Sequence, residues 1–178
     1  MKTQVAIIGG GPAGMLLAEM LHSKGIDSVI VEAKSRDYVL SRIRAGVLEQ
    51  GTVDILRSLG LGERMDREGH PHDGMKIVWA GQDSFFIDVN KHIGKQFMAY
   101  GQTNIQEDLF KACDQRKGNI LLEAHDVQLM DIASKAPYVT FTHEGQSRRL
   151  DCEFIAGCDG FHGVSRKAIP KHVLKEFE

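Results

Sequence analysis

The amino-acid sequence predicts an α/β fold, in which a mainly parallel sheet carries an antiparallel β insertion. An apolar segment at Val5–Ile8 runs into a glycine-rich turn at Gly9–Gly14, and a second apolar segment follows at Ser28–Val31. A strand, a helix and a second strand in this order predict a βαβ unit. The segments 74–89 and 127–150 alternate weakly between apolar and polar residues, which predicts antiparallel strand pairs.

The turn after the first strand has the pattern GxGxxG at Gly9, Gly11 and Gly14. In a Rossmann-like unit the first glycine makes a tight turn and the second lets the backbone approach a pyrophosphate. The third lets helix and strand pack closely. Pro12 suits the first helical position, because its φ is already helical and its missing N–H costs little. With Ala13 beside it, this segment predicts a helix N-terminus that binds phosphates.

The first helix and the second strand complete the unit. Apolar residues from Met15 to Leu21 give the helix a side that faces the core, and Gly25 is placed to end it. The second strand finishes at Glu32, and an acid about 20 residues beyond the glycines is where a ribose hydroxyl acceptor is expected. A glycine-rich turn in an ordinary βαβ unit is the alternative, and Glu32 makes it the weaker one.

The remaining elements follow from periodicity and from turn residues. We expect a helical segment from Val47 to Leu59 closed by Gly60 and Gly62, and then a hairpin from Gly74 to Val89 that turns at Gly81–Asp83. A helix should run from Thr103 to Lys117, capped by Thr103 or Asn104 and stopped by Gly118. Strands should follow at Ile120–Leu122, Val127–Met130, Tyr138–Thr142 and Ser147–Leu150, with a turn at Glu144–Gly145, before a buried strand at Phe154–Cys158 and a helix from about Gly163.

Composition bounds the class of protein. A formal net charge of −2 over 178 residues and a pI near 6.4 argue against a nucleic-acid or membrane-surface protein. No apolar stretch approaches the roughly 18 residues of a membrane span, and the first strand starts too early for a signal peptide. The cysteines Cys113, Cys152 and Cys158 lack CxxC spacing, so we expect reduced thiols in a cytoplasmic protein. No metal-binding pattern is present in the sequence, and no metal is expected.

Arg42 and Arg44 stand at alternate positions, so an extended backbone would place both guanidinium groups on one side. Such a pair can neutralise a diphosphate, and Gly46 would permit close backbone approach. Two solvated surface arginines are the alternative, which the spacing alone favours. Glu107 and Asp108 are likewise expected as solvated helix surface.

Asp159 follows a buried strand at its carboxyl end, which is the edge where α/β folds bind ligands. His162 and Arg166 would share one face of a helix and could hold an anionic group such as a second pyrophosphate. The alternative, again favoured by spacing alone, is a strand-to-helix turn with Asp159 as the cap and Arg166 exposed.

The sequence resembles the N-terminal part of the FAD-dependent aromatic hydroxylases, the 4-hydroxybenzoate 3-monooxygenase family in particular. The matching segments are Met1–Gly9, Arg42–Gly51, Tyr100–Thr103 and Asp151–Gly163. The resemblance implies that residues 1–178 form a Rossmann-like FAD/NAD(P)-binding domain with a β insertion around 70–100, and that the substrate domain is absent. The chain would then be a fragment of a longer protein.

The resemblance assigns cofactor contacts to residues spread over the chain. They are Gly9, Gly11, Pro12, Ala13, Gly14, Glu32, Arg42, Arg44, Ala45, Gly46, Val47, Gln102, Asp159, His162 and Arg166. The glycine turn would face the FAD diphosphate and Glu32 the adenosine ribose. Arg44, with Arg42 nearby, would neutralise the diphosphate, and Gln102 would reach the ribityl–phosphate region.

The same resemblance implies contacts with a nicotinamide coenzyme. Asp159 would serve both FAD and the coenzyme, while His162 and Arg166 would contact the NADPH pyrophosphate. Relatives often have a basic residue directly after the ribose-binding acid, where this chain has Ala33. Basic and phenolic side chains that could still meet a 2′-phosphate follow at Lys34, Arg36 and Tyr38. NADPH is therefore favoured only slightly over NADH.

The reaction implied by the resemblance is hydroxylation of 4-hydroxybenzoate to 3,4-dihydroxybenzoate with NAD(P)H and O2, by an enzyme that is a homodimer at full length. The hard chemistry belongs to the flavin, so no catalytic side chain is assigned in this chain, which would be inactive alone. Two alternatives stay open. An NAD-dependent Rossmann dehydrogenase would use the same glycines, and a catalytically silent FAD-binding module would hold flavin without oxidising NAD(P)H.

Overall fold

The computed structural model describes residues 1–42 and 44–175. The chain divides into two compact units, of which the first comprises Met1–Arg42 and Leu109–Glu178 and the second comprises Ile43–Asp108. The boundary near residue 108 falls inside a helix, so that helix belongs in part to each unit.

Strands and helices alternate along the described residues. The strands are β1 Val5–Ile8, β2 Ser28–Val31, β3 Val47–Glu49, β4 His70–His72, β5 Gly74–Ile77, β6 Phe85–Asp88, β7 Phe97–Ala99, β8 Asn119–Leu121, β9 His125–Met130, β10 Tyr138–His143, β11 Gln146–Asp151 and β12 Phe154–Gly157. The helices are α1 Pro12–His22, α2 Arg36–Ser41, α3 Gln50–Ser58, α4 Glu63–Glu68, α5 Val89–Ile93, α6 Gln102–Gln115 and α7 Val164–Ala168.

The first unit is built on a parallel sheet with the strand order β12-β1-β2-β8. Ile7 in β1 lies opposite Ile30 in β2 and Ala156 in β12. All of β1 is buried, and so is β2 after its first residue. Burial along the whole strand is typical of parallel strands that are covered on both faces. The α/β fold class predicted from the sequence is confirmed.

One face of the parallel sheet packs against an antiparallel meander of β9, β10 and β11. The buried residues of this interface are Ala6, Ile8, Val29, Val31, Ala124, Val139, Phe141, Leu150 and Cys152. Glu144 and Gly145 both take positive φ, 52° and 72°, between β10 and β11. Two central residues with positive φ make the mirror-image turn that suits a twisted hairpin, as the sequence predicts.

Helix α1 covers the opposite face of the parallel sheet. Met15 and Ala18 are buried, and Ile7 points toward the helix at Gly14. The helix ends where predicted, because Gly25 has a φ of 69° and its N–H donates to the His22 carbonyl at 3.0 Å. Only glycine adopts this left-handed conformation without strain.

The second unit contains the antiparallel sheet β3-β7-β4 and the hairpin β5-β6. Helix α3 buries Val53 and Leu56. The predicted hairpin is confirmed, with Gly81 at a φ of 75° in the connection between its strands. Helix α4 was not predicted from the sequence.

Two predicted helix starts are wrong. Val47 and Leu48 lie in β3, where they pair with Ala99 and Met98, and α3 begins only at Gln50. Strand pairing with a segment about 50 residues away outweighs the local helical spacing here. In α6 the Gly101 carbonyl accepts from Ile105 N at 3.2 Å, so Thr103 and Asn104 lie inside the helix and do not cap it.

Replacing Gly14 by alanine should destabilise the first unit, because the new Cβ would overlap the Gly9 carbonyl oxygen. We expect the free energy of unfolding to fall by about 1–3 kcal/mol, as for other overpacked sites, measured by urea denaturation. The control is Gly51→Ala in α3, where a Cβ would meet no atom within 4 Å. Equal unfolding midpoints for the two variants would contradict the close packing at Gly14.

Candidate nucleotide-binding site

Gly9 makes a turn that only glycine can make. It leaves β1 with a φ of 105°, and a Cβ there would lie 2.6 Å from the Cys158 carbonyl oxygen and 2.9 Å from the Asp159 Cα. Both the left-handed backbone and the close approach exclude a side chain. The tight turn predicted for the first glycine is therefore present, and it brings Asp159 next to the glycine turn.

The N-terminus of α1 is open in front of Gly11. Gly11 caps the helix in an extended conformation, Pro12 follows at the first helical position, and no side chain caps the helix. A Cβ on Gly11 would meet no described atom within 4 Å, and Ala13 is exposed. The free N–H groups and the helix dipole can therefore receive the negative charge of a diphosphate.

The Glu32 carboxylate lies against the glycine turn. Its Oε2 accepts from Gly10 N at 2.6 Å, and its Oε1 accepts from Lys34 N at 2.8 Å. A Cβ on Gly10 would lie 3.0 Å from the Glu32 Cβ, so Gly10 supplies both room and a donor. Gly10 was not predicted as a site residue, although it lies inside the glycine run. Each oxygen has a further lone pair for a ribose hydroxyl.

Basic side chains gather on Tyr38 just beyond Glu32. Lys34 Nζ lies 5.2 Å and the Arg42 guanidinium carbon 5.6 Å from the centroid of its ring. Arg36 instead pairs with Asp114 at 2.7 Å. Of the basic residues that the sequence suggests for a 2′-phosphate, Lys34 is thus the better placed, because Arg36 already has a carboxylate partner.

It stays a prediction that the guanidinium groups of Arg42 and Arg44 lie on the same side of the backbone. Arg42 has an extended backbone, with φ −80° and ψ 92°, and is exposed. Arg44 and Ala45 are exposed too. Ile43, which separates the two arginines, lies outside the described residues.

In the second unit, Gly46 lets two backbone segments pass close together. Its carbonyl accepts from Tyr100 N at 2.8 Å, and a Cβ on Gly46 would lie 2.6 Å from the Tyr100 carbonyl oxygen. Val47 follows with 64% of its surface exposed, and half-buried Gln102 begins α6. The structure thus places Gly46 and Val47 near the Tyr100–Gln102 segment, and the close approach at Gly46 is to the chain's own backbone.

A partly buried hydrogen-bond network, which was not predicted from the sequence, holds Tyr100. The Tyr100 hydroxyl donates to Asp108 Oδ2 at 2.6 Å, and Arg64 Nη1 donates to Asp108 Oδ1 at 3.2 Å and to Glu107 Oε2 at 3.0 Å. Burial, and then the neighbouring Asp108 carboxylate, raise the pKa of Tyr100 well above its usual range. The hydroxyl therefore keeps its proton at neutral pH.

Asp108 was expected as solvated helix surface, and that expectation is wrong. Its side chain is 20% exposed and is committed to Tyr100 and Arg64. Arg64 is far from Asp108 in the sequence, so spacing could not have shown the contact. Glu107 pairs with the same arginine.

Asp159 contacts the first turn of the helix that follows it. Its Oδ2 accepts from Ser165 N at 2.9 Å, and a Cβ on Gly163 would overlap its carboxylate. Cys158 was expected to be buried in a strand, but β12 ends at Gly157 and Cys158 is half-buried beyond it. The N-cap of that helix is Gly163, so Asp159 is not the N-cap that the alternative proposed, and Arg166 is half-buried and not exposed. The role of Asp159 toward a cofactor stays a prediction.

His162 and Arg166 do not share a helical face. Helix α7 starts only at Val164, because Gly163 caps it in an extended conformation. The two side chains meet Phe161 instead: the His162 ring lies edge-on at 5.1 Å, and the Arg166 guanidinium carbon lies 4.6 Å from the ring centroid. The face predicted from their spacing is wrong, while a shared contact with an anion stays a prediction.

A cavity of about 770 Å³ lies beside β12 in the first unit. Asp159, Ser165 and Arg166 line it together with apolar residues that include Phe154, Ile132 and Ile169. Cavities of this size are typical of small-molecule sites. Two of its charged residues, Asp159 and Arg166, are among those that the resemblance assigns to coenzyme binding, and Glu153 lines it as well.

Over 1–42 and 44–175, no helix has the length and apolar character needed to cross a membrane. In the same part of the chain, no group of three or more His, Cys, Asp or Glu side chains could hold a metal ion.

Comparisons with known proteins agree with this geometry. Residues 2–178 match the family described as FAD binding domain. The p-hydroxybenzoate hydroxylase of Acinetobacter baylyi is 48% identical over 179 residues, which cover 100% of this chain and 44% of that protein. The probable NADH-specific resorcinol 4-hydroxylase of Rhodococcus jostii is 28% identical over 176 residues, which cover 92% of this chain and 32% of that protein. The chain thus spans less than half the length of either relative.

A solved structure shows the same fold. The flavin-dependent halogenase CmlS has a TM-score of 0.74 and 27% identity, covering 94% of this chain and 31% of its own. The family match extends over nearly all of this chain and includes the glycine turn and Glu32. This chain belongs to the FAD binding domain family.

Proposed function

We propose that this chain is the FAD-binding part of a flavin-dependent monooxygenase that hydroxylates 4-hydroxybenzoate to 3,4-dihydroxybenzoate with NAD(P)H and O2. The observation that carries this reaction is the 48% identity over the whole chain to the p-hydroxybenzoate hydroxylase. Because the chain covers 44% of that relative, the reaction is assigned to the full-length protein. Residues 1–178 would be its FAD/NAD(P)-binding part, with a β insertion around 70–100 and no substrate domain.

The glycine turn fits the ADP half of FAD. The open space at Gly11 admits the diphosphate to the N-terminus of α1, and the Glu32 carboxylate can accept from a ribose hydroxyl. When bound, FAD supplies the redox and oxygen chemistry, while the protein binds, orients and excludes water. The side chains of this chain are therefore assigned to binding and not to proton transfer.

The resemblance assigns further cofactor contacts to Arg42 and to two segments of the second unit. Exposed Arg44, with Arg42, would neutralise the diphosphate charge, and guanidinium groups suit phosphate oxygens. The backbone at Ala45–Val47 would line the cofactor. Gln102, at the start of α6, would donate to the ribityl–phosphate region.

Asp159, His162 and Arg166 would serve the nicotinamide coenzyme. Contact with Phe161 places the His162 ring and the Arg166 guanidinium on one aromatic side chain, where both could reach a pyrophosphate. Asp159 adjoins the glycine turn at Gly9 and so lies where it could also meet FAD.

We propose further that the full-length protein is a cytoplasmic homodimer acting on a small aromatic substrate. Cys113, Cys152 and Cys158 are free thiols, which suits a reducing compartment. Burial raises the pKa of all three, so they are poor thiolates at neutral pH.

Gly11→Ala should weaken FAD binding without unfolding the protein. Its Cβ has room in the protein alone but would occupy the approach of the diphosphate to α1. We expect the Kd for FAD to rise about 100-fold, roughly 2.7 kcal/mol, in a flavin fluorescence titration, with a small change in urea midpoint. Gly51→Ala, away from the glycine turn in sequence, is the matched control. Unchanged FAD affinity in Gly11→Ala would place the diphosphate elsewhere.

The full-length protein should form 3,4-dihydroxybenzoate from 4-hydroxybenzoate, with NADPH slightly preferred over NADH.

Lys34→Ala should raise the KM for NADPH about fivefold and leave the KM for NADH unchanged, because we assign the 2′-phosphate to the ammonium group of Lys34. Product formation and initial rates with each coenzyme are the measurements. Flavin binding without NAD(P)H oxidation would favour a silent FAD module, and NAD⁺-dependent oxidation without flavin would favour a dehydrogenase.

A further inference from the structure

Tyr100 joins two segments of the second unit that the proposed function assigns to FAD. Its N–H donates to the Gly46 carbonyl at 2.8 Å, and the preceding residue, Ala99, pairs with Val47. Gln102 follows two positions later and begins α6. The position of Tyr100 therefore sets the positions of both segments at once.

The side chain of Tyr100 is fixed to the helix that Gln102 begins. The residue is 4% exposed, and its hydroxyl donates to Asp108 Oδ2 in α6 at 2.6 Å. A hydrogen bond this short to a carboxylate is charge-assisted and stronger than one between neutral groups. It joins the residue that follows β7 to α6, on either side of Gly101.

Asp108 is itself held from the other side. Arg64 Nη1 donates to its Oδ1 at 3.2 Å, while the Nε of the same arginine donates to Glu68 at 2.9 Å within α4. The carboxylate is thus oriented by a cation anchored on a separate helix. Tyr100, Asp108 and Arg64 form a chain from the predicted cofactor segments into the body of the second unit.

We propose that Tyr100 is a positioning residue for FAD, whose hydroxyl, held by Asp108 and Arg64, fixes Gln102 and the Arg44–Val47 segment in the arrangement that the cofactor requires. This inference rests on the proposed FAD-binding function. The buried ring of Tyr100 contributes packing, whereas the hydroxyl contributes orientation. Removing the hydroxyl alone separates the two contributions.

Tyr100→Phe should raise the Kd for FAD about tenfold, which is the loss expected for one hydrogen bond to a charged group. The Kd for 5′-AMP should not change, because AMP needs only the glycine turn and Glu32 of the first unit. Tyr138→Phe is the matched control, because Tyr138 belongs to neither segment. The centroid of its ring lies 3.6 Å from the Arg149 guanidinium carbon. Binding is measured by flavin fluorescence for FAD and by calorimetry for AMP.

Asp108→Ala should weaken FAD binding at least as much as Tyr100→Phe does, because it removes the acceptor of both Tyr100 and Arg64. The double variant should bind FAD no more weakly than Asp108→Ala alone. Equal FAD affinity in wild type and Tyr100→Phe would overturn the inference, as would additive effects. A parallel loss of AMP and FAD binding would show a general loss of folding and would overturn it too. If the wild-type chain binds no FAD, the proposed function itself fails.

Discussion

The first unit depends on the contact between backbones at the end of β1. Gly9 turns with a left-handed φ against the Cys158 carbonyl, and Gly14 packs α1 onto the Gly9 carbonyl. Neither approach tolerates a Cβ. The carboxyl ends of β1 and β12 and the N-terminus of α1 therefore meet at one place, which is where ligands of parallel α/β sheets bind.

The polar groups of this place follow from that contact. Because Gly10 has no side chain, Glu32 at the end of β2 can bring its carboxylate to the Gly10 N–H. Gly11 faces open space, so the free donors of α1 remain available to a ligand. A carboxylate that can accept from a hydroxyl thus lies beside a helix N-terminus that favours negative charge, which is the arrangement the proposed binding of an adenosine diphosphate requires.

Local patterns predicted the βαβ unit, its glycine turn and the Gly25 helix end, because neighbouring residues determine each of them. Contacts between distant residues escaped prediction. The β3 strand depends on pairing with β7, and the setting of Asp108 depends on Arg64. His162 was placed on a helix by its spacing, whereas Gly163 delays the start of α7. The cofactor roles of the arginines came from the resemblance, since exposed arginines carry little information by spacing alone.

The most direct test of the account is displacement of FAD bound to the purified chain, followed by flavin fluorescence, with ADP and FMN as competitors. The glycine turn and Glu32 bind the ADP half in this account, so ADP should displace FAD while FMN, which lacks that half, should not. Displacement by FMN but not by ADP would contradict the account, because it would place the main contacts of the chain on the flavin half.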